Sequence, residues 1–267
     1  MSDVCRVGRS RCLAIGIAAL WLWLLLPLSS GSGAHAQPLL RIATEGTYPP
    51  WSFKDAQGRL QGWDVDIATA LCERMKTRCE IVAQDWDGII PGLLAHKYDA
   101  IVASMAMTEQ RRQRVDFTRK YKNTVSRFVA RKGVPPDVSP AALEGRTIGV
   151  QRGSIQARYL AAHYRAADIK LYDTPQAAEL DLLAGRVDYI FGNMVTYHVG
   201  FLRQPEARGY GFAGPELQGG LLGEGNAIAV RKNSPALLQR LNDALAAIVA
   251  DGTYDRITAR YFPFKLM

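Results

Sequence analysis

Apolar residues follow two patterns along the 267-residue chain. Leu13 to Leu28 is nearly continuous. Beyond residue 38, short β-branched runs alternate with stretches at helical spacing. Leu39 to Thr44 reads as a first strand. Glu45-Gly-Thr-Tyr-Pro-Pro-Trp51 ends it, because Pro49 and Pro50 cannot continue a ladder. Lys54-Asp-Ala-Gln-Gly58 is a hairpin-type turn. Asp64 to Met75 predicts a helix with Ile67, Leu71 and Met75 on one face and Asp64 as its cap. Cys79 to Ala83 is a second strand. Trp86 to Ala95 is a second helix, with Ile89, Ile90, Leu93 and Leu94 inward, and Asp99 to Ala103 is a third strand. The order β-α-β-α-β is that of a parallel sheet.

The order then recurs. Thr147 to Val150 predicts a strand, Ile155 to Tyr164 a helix and Ile169 to Tyr172 a strand. Thr174 before Pro175 starts a helix that runs to Ala184, Gly185 closes it, and Asp188 to Phe191 is the next strand. Leu93-Leu-Ala-His-Lys-Tyr-Asp-Ala-Ile-Val-Ala-Ser104 shares Leu-Leu-Ala-x-basic-x-Asp-x-Ile with Leu182-Leu-Ala-Gly-Arg-Val-Asp-Tyr-Ile-Phe-Gly-Asn193. Helix-turn-strand corners recruit similar residues, but the matching order of flanking elements favours an architectural duplication. Ser104 and Asn193 then hold equivalent places past a strand end. Two extended stretches, Thr118 to Arg131 and Gly219 to Arg231, join the units as hinges. Ser234-Pro235 opens a helix to Ala250, and Asp251-Gly-Thr-Tyr opens a last one. The fold class expected is α/β and two-lobed, each lobe a mostly parallel sheet flanked by helices. Residues 37–123 and 226–267 form lobe 1, and 124–225 form lobe 2 with hinge segments.

Composition changes this picture at the N-terminus. Arg6, Arg9 and Arg11 precede the apolar run, and Ala34-His35-Ala36 is a small-x-small cleavage signal. The run is shorter than the roughly 20 residues a spanning helix needs. Residues 1–36 therefore read as a cleaved signal peptide, with export to the periplasm and Gln37 as the mature start. The net charge is +8, with Lys and Arg spread over the whole chain. No basic stripe interleaved with aromatics appears, so no nucleic-acid partner is expected. Cys72 and Cys79 read as one disulfide in an oxidising compartment. His96, His163 and His198 lack metal-ligand spacing, and neither a G-x-S-x-G nor a Walker loop occurs. No metal, cofactor or enzymatic activity is expected.

In open α/β sheets, ligands bind beyond the carboxyl ends of strands. The loops there carry Glu45, Tyr48, Trp86, Ser104, Arg111, Ser154 and Asn193. Arg111 offers a planar fork suited to a carboxylate, although within Arg111, Arg112 and Arg114 it also reads as one of three solvated basic residues. Ser154 follows Gly153 at a helix start, where free N–H groups favour an anion. Tyr48 and Trp86 could sandwich an aliphatic or guanidinium segment, and Glu45 could meet a cation. Ordinary packing at a lobe edge is the competing reading; it weighs evenly for Trp86, at a helix start, and less for Tyr48, next to Pro49-Pro50.

Residues 39–264 resemble the type 3 extracellular solute-binding proteins of polar and basic amino-acid ABC importers. The likeness is greatest to the lysine/arginine/ornithine-, histidine- and opine-binding group. It is carried by Arg41-Ile-Ala-Thr-Glu-Gly-Thr-Tyr-Pro-Pro-Trp51, Gly62-Trp-Asp-Val-Asp66, Cys72 with Cys79, and Asp85-Trp-Asp-Gly-Ile-Ile-Pro91. It continues in Lys97-Tyr-Asp-Ala-Ile101, Met107-Thr-Glu-Gln-Arg111, Gly149-Val-Gln-Arg-Gly-Ser154, Phe212-Ala-Gly-Pro215 and Asp251-Gly-Thr-Tyr-Asp255. The resemblance implies a Venus-flytrap fold and a monomer that delivers an amino acid or opine-like ligand to ABC permease subunits. It places Arg111 on the α-carboxylate, Tyr48 and Trp86 in an aromatic clamp, and Ser104 as a site serine. Asn193 stands where an aspartate meets the α-ammonium, and Glu45 where an aspartate lies near the distal cation. Ala106 replaces a common serine and Ile155 a common threonine, so the α-amino end is less tightly held and a substituted α-nitrogen is expected to fit. A dehydratase-like enzyme on the same fold and a soluble sensor are the alternatives.

Overall fold

The structure, a computed structural model, describes residues 39–123 and 125–267. The expected signal peptide, residues 1–36, and the expected mature start at Gln37 lie outside the described residues. The first unit holds strands β1 (Leu40–Thr44), β2 (Thr47–Tyr48), β3 (Ser52–Lys54) and β4 (Leu60–Gln61). Then come helix α1 (Trp63–Arg74), β5 (Cys79–Ala83), α2 (Ile89–Leu94), β6 (Ala100–Ile101), α3 (Glu109–Arg112) and β7 (Val115–Phe117). The next stretch runs through β8 (Ser126–Arg131), β9 (Thr147–Gln151), α4 (Ile155–His163), β10 (Asp168–Tyr172), α5 (Pro175–Leu183), β11 (Tyr189–Asn193), α6 (Met194–Val199) and β12 (Tyr210–Leu217). The chain ends in β13 (Ala229–Arg231), α7 (Pro235–Ala250) and α8 (Thr253–Tyr261).

One five-stranded sheet has the order β5-β1-β6-β13-β7 and the other β10-β9-β11-β8-β12. In each, the first three strands are parallel, the fourth runs antiparallel to both its neighbours, and the fifth returns to the direction of the first three. The shared sequence pattern is in register. Ala100 pairs with Ile42 in one sheet, and Tyr189, at the same place in the pattern, pairs with Ile148 in the other. The shared aspartate has a local cause. Asp99 accepts a hydrogen bond from the Arg41 amide at 3.0 Å, and Asp188 from the Thr147 amide at 2.9 Å. Each carboxylate thus pins the start of its unit's first strand. His96 and Gly185, also equivalent, both take a left-handed backbone where a helix ends.

The fourth strand of each sheet arrives from a crossing segment. The two crossings run side by side, with the Tyr121 amide donating to the Asn226 carbonyl and the Asn226 amide to the Lys122 carbonyl, both at 2.9 Å. On one side of the first sheet, α1, α7 and α8 enclose an aromatic core of Trp51, Trp63, Tyr121, Tyr254 and Phe262. Burying such a side chain contributes roughly 1.5–3 kcal/mol. In the second unit, Phe128 and Phe191 stack at 4.3 Å.

Some local expectations fail. Gly62, not Asp64, caps α1, and Asp64 is fully buried in the first turn. Residues 86–88 form a tight 3₁₀ turn before α2, because Pro91 at the third position fits only a helix that starts late. Leu94, expected inward, is 38% exposed. Strand β12 and helix α6 lack periodic apolar runs and carry no strong signal in the sequence.

Cys72 and Cys79 form a disulfide between α1 and β5. Replacing both with serine should lower stability by roughly 2–3 kcal/mol. Thermal unfolding should register this as a Tm lower by roughly 5–10 °C.

Candidate functional site

Parallel strands of both sheets aim their carboxyl ends at one cavity. Glu45 follows β1, Ser104 lies just past β6, Gln151 ends β9 and Asn193 ends β11. The cavity contains about 410 Å³ of empty space, part of it open to solvent. Every residue expected in the cleft lines it: Glu45, Tyr48, Trp86, Ser104, Ala106, Arg111, Ser154, Ile155 and Asn193. Gln156 and Asn226 also line it and were not singled out from sequence, and Gln151, which opens a loop expected at the cleft, had been given no role. A polar residue at a strand's carboxyl end was the available signal for Gln151. Asn226 enters only because the second crossing passes the cleft.

Arg111 is 8% exposed. The Thr108 hydroxyl caps α3 by accepting from the Arg111 amide at 3.3 Å, which fixes the direction of the side chain. One guanidinium nitrogen donates to the Ala106 carbonyl at 2.9 Å, and the guanidinium carbon lies 5.1 Å from the Trp86 ring centre. Burial, and secondarily the Arg158 charge, lowers its pKa to about 10. It therefore stays charged at neutral pH. Among the described residues it enters no ion pair. A buried cation with neutral partners alone is costly to hold, and an anion entering the cavity would offset that cost.

Glu45 is 3% exposed. Its carboxylate accepts from the Gln151 side-chain amide at 2.5 Å and from the Thr47 hydroxyl at 3.4 Å. Burial raises its pKa to about 7, against the pull of these two bonds. Gln151 thus reaches from one lobe to a carboxylate of the other. Trp51 adds a second link, its indole N–H donating to the Thr196 hydroxyl at 2.8 Å.

Ser104 has a left-handed backbone with φ of 48°. Its hydroxyl donates to Asp64 at 2.7 Å, and its amide donates to the Tyr121 hydroxyl at 3.1 Å. That phenol in turn donates to Asp64 at 3.0 Å. Lys122, 1% exposed, lies 3.7 Å from the Trp51 ring centre and balances the Asp64 charge. Burial lifts Asp64 to about 6, with Lys122 opposing, and lowers Lys122 to about 8, with Asp64 opposing. The Ser104 proton is committed to Asp64, so toward the cavity this hydroxyl can only accept. Asp64 is a support beneath the site, a role the sequence reading gave to helix capping.

The second lobe supplies capped helix starts. The Ser154 hydroxyl accepts from the Ala157 amide at 3.0 Å, and the Asn193 side-chain oxygen from the Thr196 amide at 3.1 Å. Gln156 donates to the Ser126 hydroxyl at 2.9 Å. Ile155 is 5% exposed and brings no hydroxyl. No cluster of His, Cys, Asp and Glu suited to a metal occurs among the described residues.

Two α/β lobes closing carboxyl strand ends around one polar cavity, with aromatic faces and a buried cation, define a binding protein of the two-lobed solute-receptor class. The chain belongs to the bacterial extracellular solute-binding proteins, family 3, whose pattern it matches over residues 40–264. It is 43% identical over 230 residues to the L-arginine-binding protein of Pseudomonas aeruginosa, covering 85% of this chain and 89% of that one. It is 36% identical over 230 residues to the lysine/arginine/ornithine-binding periplasmic protein of Escherichia coli K12, covering 85% and 88%. A solved ancestral arginine-binding protein bound to glutamine superposes with a TM-score of 0.78 at 34% identity, covering 86% of this chain and all of that one.

Glu45 makes a signed prediction for the unliganded protein. A carboxyl whose folded pKa lies above its ordinary value is favoured in the fold while protonated, and that contribution is lost as pH rises from 4.5 to about 7. Glu45→Gln should match the wild type near pH 4 and exceed it at pH 7 by up to about 3 kcal/mol. Urea unfolding at the two pH values checks this.

Proposed function

We propose that this chain is the periplasmic binding component of an ABC importer. It captures a polar, basic amino acid or derivative of the arginine, ornithine, lysine, histidine or opine type, closes its lobes on it and presents it to a membrane permease. One observation carries the reading. A single cavity holds a buried cation that has no carboxylate partner among the described residues, a buried carboxylate and two aromatic side chains. That is the complement of a zwitterion with a second cationic end. In this reading Arg111 grips the α-carboxylate, with Ser154 and Ile155 offering helix-start amides from the other lobe. Tyr48 and Trp86 bracket the side chain. Glu45, oriented by Gln151, meets the distal cation. Ser104 and Asn193 accept from the α-nitrogen, and Ala106 leaves room beside it. The names of the relatives, all binding proteins, support the class and the kind of ligand.

Glu45, with a pKa near 7 inside the cleft, also has the profile of a general acid or base. That observation alone favours a dehydratase-like enzyme. The binding reading uses the same group as a counter-charge and needs no second catalytic group. Incubation with a bound amino acid should return it unchanged, and a dehydrated product would overturn the assignment.

Arginine at about one hundred times its Kd should raise the Tm by roughly 5–10 °C. Arg111→Ala should abolish the rise. An unchanged shift in a thermal-shift screen of amino acids would remove Arg111 from the site.

A further inference from the structure

The two charged groups of the cleft are held differently. The Thr108 hydroxyl, the Ala106 carbonyl and the Trp86 ring, which fix Arg111, all belong to its own lobe. Glu45 takes its shorter hydrogen bond from the other lobe. Gln151 donates to it at 2.5 Å, whereas Thr47, on its own lobe, donates at 3.4 Å. Among the described residues Glu45 enters no ion pair. The Arg111 end of the cleft is therefore complete within one lobe, and the Glu45 end is complete only when both lobes meet.

The sheet holds Gln151 in place for this contact. Its backbone closes β9 in register with Tyr172 of β10, and the following amide, of Arg152, donates to the Tyr172 carbonyl at 2.7 Å. The Gln151 side-chain nitrogen also lies 3.4 Å from the Asp173 carbonyl. A carboxylate and a carbonyl are both acceptors, so the nitrogen of this amide, and not its oxygen, faces them. Being neutral, the amide orients Glu45 and favours its charged form without cancelling the charge, as a lysine or arginine there would.

Burial raises Glu45, and Asp64 and Asp85 raise it further, while Gln151 and Thr47 pull it down to a balance of about 7. The Tyr48 phenol feels the same carboxylate. Of the contacts that favour the charged form, the bond from Gln151 is the largest. Without it more of the carboxyl would be protonated at neutral pH, and a protonated carboxyl has no charge to offer a cation. Resting on the reading above, in which Glu45 meets the ligand's distal cation, we propose that Gln151 is a positioning residue that determines the cleft's preference for that cation: it arrives with the second lobe and fixes Glu45 as the acceptor, so the distal end of the ligand is read in the closed protein.

The test is isothermal titration of the mature protein and of Gln151→Met, a side chain of similar length without a donor, with L-arginine and L-citrulline from about pH 5 to about pH 9. Citrulline has the length of arginine and a neutral ureido end. Wild type should favour arginine by roughly tenfold at the upper pH, and the preference should fall away below about pH 7, where Glu45 of the free protein becomes protonated. In Gln151→Met the midpoint of that preference should move up by roughly one pH unit. At pH 7 the ratio then drops several-fold while citrulline affinity changes little. A merely structural loss would weaken both ligands at every pH and leave the midpoint in place. That result, or an unchanged ratio and midpoint, overturns the role of Gln151 and leaves the reading of Glu45 standing. Equal binding of the two ligands by wild type at every pH overturns both. The Tm reports on folding, and Gln151→Asn, which withdraws the amide by one methylene, takes the place of Gln151→Met if the latter does not fold.

Discussion

A buried guanidinium with no carboxylate partner among the described residues is the constraint around which this cleft is built. Arg111 reaches its place because Thr108 caps a short helix and the Ala106 carbonyl takes one of its protons. Trp86 covers its face. None of these partners carries a negative charge, so the favourable electrostatic interaction is left to whatever enters. The cation and the carboxylate of Glu45 line one cavity without forming an ion pair, which keeps both available. Had they paired directly, each would have neutralised the other and the cavity would have lost its polarity pattern.

Beneath the cleft lie two buried opposite charges that feel each other without a direct ion pair among the described residues. Asp64 and Lys122 are both fully buried, and the carboxylate is satisfied by Ser104 and Tyr121. Removing either charge would leave the other buried without its opposite, which is costly. The effect of the arrangement here is orientational. It fixes the Ser104 proton away from the cavity, and it places Lys122 on the crossing segment against Trp51, which itself bonds to Thr196 of the other lobe. The hinge, the floor of the cleft and the contact between lobes are therefore joined by hydrogen bonds and one cation–π contact.

The contrast between Glu45 and Glu179 is instructive. Both are buried and both are raised to about 7, chiefly by burial. Glu45 has Gln151 and Thr47 as donors, while Glu179 has none among the described residues. A carboxylate with donors is held in one geometry.

Much of this was legible in the chain. The β-α-β-α-β order, the repeat and the residues at strand ends followed from apolar spacing and turn chemistry, because those are local properties with a short period. The repeat's shared aspartate was visible as a pattern, though its task, holding the amide that starts the neighbouring strand, was not. Resemblance then placed Glu45, Tyr48, Trp86, Ser104, Arg111 and Asn193, and all face one cavity. Asp64 was misread as a cap because a carboxylate near a helix start has the same local signature in both roles. Gln151 and Asn226 depend on contacts between segments far apart in sequence. The sequence by itself determined the elements, their order and the charged groups of the cleft. Tertiary structure alone decided which of those groups find partners, because burial and pairing depend on neighbours that the chain brings together only when it folds.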